Sequence, residues 1–118
     1  MENFKEVLMF KEKISSQKKG LKKELSLLKK EFKADKSNFE FSKVSVYLNS
    51  RIERLDKALF HLNLALEDKK NSGKETSYFV QMVKEARKEL KTYNELTEDD
   101  TCKELLEKLL SNTTAIKL

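Results

Sequence analysis

His61, Cys102 and the adjacent carboxylates Asp99 and Asp100 are the side chains of this sequence that could carry proton transfer, thiolate attack or metal binding. Each of those chemistries needs convergent partners. His61 is the only histidine and Cys102 the only cysteine, so a tetrahedral site of thiolates and imidazoles cannot be assembled from one chain. His61 lies off the main apolar stripe of its helix and reads as a solvated surface histidine rather than a base or a ligand. Cys102 falls on the apolar face of its helix, where a small buried thiol is the ordinary condition. Asp99 and Asp100 are better explained as negative charge opening a helix than as a general acid and base, which would need a pocket to hold them.

Gly73-Lys74-Glu75-Thr76 comes nearest to a phosphate-binding loop. Glu75 stands where a hydroxyl must hold magnesium, Asp68 stands where the first glycine belongs, and helix precedes the segment rather than strand. A helix-start turn fits better. No motif is specific enough to name a family. The expectation is a non-enzymatic protein with no cofactor, no catalytic or metal-ligating residue and no small-molecule substrate.

The scaffold that positions these residues is set by composition. The chain has 118 residues, no proline, and glycine only at Gly20 and Gly73. That removes the turn residues a many-stranded protein needs and points to an all-α single domain spanning 1–118. No apolar run approaches the roughly 18 residues of a membrane span, and Met1-Glu2-Asn3-Phe4-Lys5-Glu6 lacks the basic and then apolar layout of a secretory signal. A cytoplasmic protein without membrane insertion is expected. Asn112-Thr113-Thr114 matches a glycosylation acceptor, which without an export signal is read as chance.

Three hydroxyl caps, each followed three residues on by an acid, mark helix starts: Ser37 with Glu40, Ser72 with Glu75, and Thr97 with Asp100. They predict helices near 2–35, 38–70, 73–95 and 98–112, with 113–118 frayed. In the first, Phe4, Val7, Phe10, Ile14, Leu21, Leu25, Leu28 and Phe32 share a stripe; in the second, Phe41, Val44, Leu48, Ile52, Leu55, Leu59, Leu62 and Leu66 do so. Spacings of three and four are those of a packed seam between long helices. Lys11, Gln17 and Lys18 interrupt the first stripe beside Gly20, which predicts a bend or looser segment. The shorter helices present Phe79, Met82, Val83, Ala86, Leu90 and Tyr93, then Cys102, Leu106, Leu109 and Leu110. They are too short to cover the hairpin unless they lie end to end.

Charge fixes the topology. Lysines edge one side of the first stripe and acids the other, with the reverse on the second helix, so an antiparallel pairing matches both edges. Lys18 with Asp56, Lys22 with Glu53, Glu24 with Arg51, Glu31 with Lys43 and Glu6 with Lys69 have residue numbers that sum to 74 or 75. A constant sum centres the turn between Lys36 and Asn38. The predicted fold is therefore a long antiparallel helical hairpin over 1–70 packed with two shorter helices over 71–112, a four-helix, bundle-like protein.

Two surfaces remain as candidates. One is a second apolar stripe on the second helix, Val46, Phe60 and Leu64, rotated away from the seam; helices three and four could simply cover it. The other is the basic hairpin tip, Lys29, Lys30, Lys33 and Lys36. Residues 1–36 hold 11 basic and 6 acidic side chains, and their net +5 equals that of the whole chain. Such a tip suits phosphates of nucleic acid or an acidic protein, although a solvated lysine face is the common dress of exposed helices. No arginine or aromatic cluster accompanies it, so base readout is not expected. The leading expectation is a helical protein–protein interaction module: a small adaptor, chaperone-like or inhibitor protein that docks on a protein partner or on itself as a homo-oligomer. A sequence-nonspecific nucleic-acid-binding accessory protein is the alternative.

Overall fold

Four helices form in the computed structural model, which describes residues 4–32 and 39–111: α1 (Phe4–Phe32), α2 (Phe39–Ser72), α3 (Ser77–Thr97) and α4 (Asp100–Ser111). No strand occurs among the described residues, and the fold is all-α. α2, with 34 residues, is about 51 Å long at 1.5 Å per residue, and the molecule is elongated to match, 52 × 25 × 20 Å. α1 runs antiparallel to α2 as the matched flanks require. The turn between them, with the Ser37 cap, lies outside the described residues.

α2 is the element on which the others pack. Its inner face buries Val44, Tyr47, Leu48, Ile52, Leu55, Ala58, Leu62 and Ala65. α1 supplies Val7, Ile14, Leu21, Leu25 and Leu28, α3 supplies Phe79, Val83, Ala86 and Tyr93, and α4 supplies Leu106 and Leu109. Most of the two long stripes is recovered, with Phe10, Phe32, Phe41, Leu59 and Leu66 half-buried at the border of the core. Ala58 and Ala65 were missing from the expected seam. Small residues there leave room for α3, which lies antiparallel to α2 from Asp68 beside Thr76 to Tyr47 beside Thr97. α4 continues in the same direction, with Lys108 reaching Glu40 near the start of α2. The two short helices thus lie end to end along α2.

Several boundaries differ from the sequence reading. α2 continues to Ser72 and stops at Gly73, whose amide returns to the Lys69 carbonyl and whose φ of +74° is the left-handed conformation glycine adopts without a Cβ clash. α3 is capped by Thr76 and not by Ser72: the Thr76 hydroxyl accepts from the Phe79 amide at 3.1 Å and donates to the Asp68 carboxylate. Glu75 serves another end, accepting from the Phe4 amide at 2.9 Å and tying the start of α1 to the α2–α3 connection. Thr97 stays within α3, and Asp99 caps α4 by accepting from the Cys102 amide. A carboxylate caps about as well as a hydroxyl, and the cap of α4 sits two residues beyond the Thr97 hydroxyl. α1 is assigned as one continuous helix through Gly20, which is exposed.

The charge ladder is realised in part. Lys18 pairs with Asp56 across α1 and α2, and Glu24 lies close enough to Arg51 to feel its charge. Glu53 instead pairs along its own helix with Lys57 at 3.4 Å, and Arg54 turns to α3, where Glu89 meets it at 2.9 Å. Lys43 sits over the Phe39 ring, and Lys69 donates to the Gly73 carbonyl.

Candidate functional site

The second apolar stripe of α2 is open. Val46 is 67% exposed and Phe60 60% exposed, with Leu64 half-buried beside them. α3 and α4 do not cover them, because all three packed helices lie on the opposite side of α2. Phe39, 70% exposed, extends the stripe by one heptad toward the start of α2, a continuation the sequence reading left out. Positions 39, 43, 46, 50, 53, 57, 60, 64, 67 and 71 alternate steps of four and three. That is the seam spacing of paired helices, on the face where no other described helix is packed. The edge of the Phe60 ring meets His61, centroids 5.5 Å apart.

His61 departs from its expected solvated state. It is half-buried, and its Nδ1 is enclosed without a hydrogen-bond partner. It lies at the boundary between the two faces of α2, which the stripe assignment alone did not resolve.

At the basic tip, Lys29 and Lys30 are exposed at the end of α1; Lys33 and Lys36 lie outside the described residues. Lys22 and Lys29 flank a groove of about 350 Å³ completed by Leu25, Ser26, Asn49 and Ile52. Among the described residues no carboxylate lines it. Its donors could meet an anion from one side, the simplest form of phosphate contact.

A third feature was not foreseen. The Arg51 guanidinium lies between the rings of Tyr47 and Tyr93, 5.1 and 5.3 Å from their centroids, and donates to the Tyr93 hydroxyl at 3.1 Å. It forms the wall of a cleft of about 230 Å³ between α1, α2 and α4, lined also by Glu24, Thr97, Lys103 and Glu107. Its Nε is buried with no partner. Burial raises the Glu24 carboxyl above its ordinary value, with the positive charge of Arg51 opposing. Burial likewise raises Tyr47, whose hydroxyl donates to the Thr97 carbonyl at 3.3 Å. The cleft carries two carboxylates, Glu24 and Glu107, and two cations, Arg51 and Lys103.

Cys102 is half-buried at the start of α4. Burial raises its thiol pKa, and the adjacent Asp99 charge and hydrogen bond raise it further, against a weaker lowering by Lys43. A thiol held protonated is a poor nucleophile. Among the described residues no group of three His, Cys, Asp or Glu side chains is placed to hold a metal ion, and no helix is long and apolar enough to cross a membrane. Comparison with protein-family models, with curated proteins and with solved structures gives no significant match to this chain.

Proposed function

We propose that this protein is a non-enzymatic helical interaction module, a small adaptor, chaperone-like or inhibitor protein, that works by docking the outer face of α2 on a protein partner or on itself. The observation that carries this reading is the exposure of Phe39, Val46 and Phe60 on one seam-spaced stripe directly opposite the core. Aromatic and branched side chains held in water at that spacing on a rigid helix are the anchors by which helices recognise helical or grooved surfaces. Scattered exposed apolar residues need no explanation, and Met9 and Tyr78 elsewhere on the surface are of that kind. The α2 stripe differs by its repeat.

Phe60→Glu tests the reading, because on an open face it leaves the helical melting curve in place while removing a central anchor. Wild type and variant, both folded, are immobilised and exposed to an extract of the source cells. A partner held by the wild type and lost by the variant is expected. Capture and self-association that are identical in the two would overturn the assignment of this face.

A second reading is favoured by the carboxylate-free groove between Lys22 and Lys29: sequence-nonspecific binding to nucleic-acid phosphates through the Lys-rich face of α1. Binding to unrelated DNA and RNA sequences alike, falling steeply with added salt, is its signature. No binding at low salt removes it.

A further inference from the structure

We propose that the outer stripe of α2 is a homodimer seam, in which α2 of a second copy lies antiparallel against it. This inference rests on the docking reading above and names the occupant.

The argument is charge complementarity on a fixed repeat. In an antiparallel helix pair, positions that begin a three-residue step face positions that end one. On α2 the first kind are 43, 50, 57 and 64, and the second are 46, 53, 60 and 67. When facing residue numbers add to 110, Lys43 meets Glu67 of the second copy, Val46 meets Leu64, Ser50 meets Phe60, and Glu53 meets Lys57. Two-fold symmetry makes every contact twice. All four charges of the stripe between positions 43 and 67 are thereby matched, Val46 and Leu64 meet each other, Phe60 meets the small Ser50, and Phe39 lies against Asn71.

The alternatives lose this match. A shift of one heptad places Lys57 against Val46 or Phe60, and Glu53 against Ser50 or Leu64. A parallel pair in register places Lys43 on Lys43, Glu53 on Glu53 and so on, every charge against its like. Next to the two-fold axis, Arg54 and Asp56 flank the stripe and approach their own symmetry mates. Each is already neutralised inside its own copy, Arg54 by Glu89 and Asp56 by Lys18. Glu53 and Lys57, paired at 3.4 Å along the helix, become an alternating square of four charges at the axis. Polar residues on a helix seam fix register and orientation at a cost in stability, so the dimer is reversible.

Sedimentation of the full chain from about 10 μM to about 1 mM should show a monomer–dimer equilibrium. Lys43→Glu or Glu67→Lys alone should raise the dissociation constant about tenfold, since each creates two like-charge contacts. Together they should restore it to within about threefold of the parent. Lys43 and Glu67 lie about 36 Å apart on one helix, so they cannot compensate each other inside a chain, and rescue reports an antiparallel contact between copies. Circular dichroism confirms that each variant folds. A dimer insensitive to these changes, or a double variant as weak as the singles combined, overturns the proposal. A chain that stays monomeric while a partner is captured in a Phe60-dependent way overturns self-pairing and leaves the docking reading. Neither dimer nor Phe60-dependent capture overturns both.

Discussion

The two faces of α2 are both built on steps of three and four residues and have opposite fates. On the inner face, Val44, Leu48, Ile52, Leu55, Ala58 and Leu62 are all buried, and every step of the repeat is apolar. On the outer face steps of three and four read Lys43, Val46, Ser50, Glu53, Lys57, Phe60, Leu64 and Glu67, and none of the other described helices packs on them. Period alone identifies a face on which a helix can pack. The density of apolar residues along that period decides whether the face is core, because burying each lysine or glutamate costs more than a neighbouring valine returns. A diluted seam is left to water, or to a surface with matching charges.

Truncating the inner seam should produce the largest effect. Leu55 and Leu62 are fully buried, so Leu55→Ala should cost on the order of 2–5 kcal/mol in chemical denaturation. Phe60→Ala, the removal of a larger side chain from the outer face, should change monomer stability by under about 0.5 kcal/mol. Comparable losses at the two positions would erase the distinction between the faces. Leu59, assigned to the seam by its spacing, is half-buried and should fall between them.

The edge of the inner face should come next. Arg51 is held by the Tyr47 ring on its own helix and by the ring and hydroxyl of Tyr93, which tie α2 to α3. Arg51→Ala should cost roughly 1–3 kcal/mol, the sum of its cation–π and hydrogen-bond contributions at a largely enclosed site. A loss no greater than that of the exposed Lys57→Ala would show that the cluster contributes nothing to the packing of α3.

What was legible in the sequence follows from the same contrast. The hairpin was readable because Leu, Ile and Phe recur along one stripe of α1 and one of α2, and because charges of opposite sign edge the two stripes; Lys18 with Asp56 is a rung that forms as read. Glu53 and Arg54 had nearer partners in Lys57 and Glu89, and the hairpin register could not foresee α3, whose approach depends on Ala58 and Ala65. Small residues are silent in a search for large apolar ones. Val46 and Phe60 were recognisable as a second stripe, but their exposure depended on where α3 and α4 would pack. The Arg51 cluster left only the i,i+4 pair Tyr47 and Arg51 as a local signal, since Tyr93 joins them only through the packing of α3 on α2.

Ion pairs at the borders between the faces should give smaller effects. Arg54 with Glu89 joins two helices and is the more enclosed pair, while Glu53 with Lys57 is an exposed pair within one helix. Double-mutant cycles should return about 0.5–1 kcal/mol for the first and about 0.3 kcal/mol for the second, both shrinking with salt. The reverse order would mean that the border of the inner face is no better shielded than the outer stripe.

The smallest effect is a slope rather than a step, and it locates where the inner face ends. Burial raises the Glu24 carboxyl in the folded chain above its ordinary 4.5, despite the pull of Arg51. A folded state that keeps a proton the unfolded state has released gains from low pH, so stability falls as pH rises. The Glu24 contribution is fully present below its unfolded pKa and is lost as pH rises through the folded one. Glu24→Gln keeps a similar shape and cannot ionise. Between about pH 4 and pH 7 the variant should therefore gain on the wild type, with the gap widest at the upper end. If Glu24→Gln instead runs parallel to the wild type across this range, the cleft beside Arg51 is as wet as the outer stripe, and the inner face stops one turn short of it.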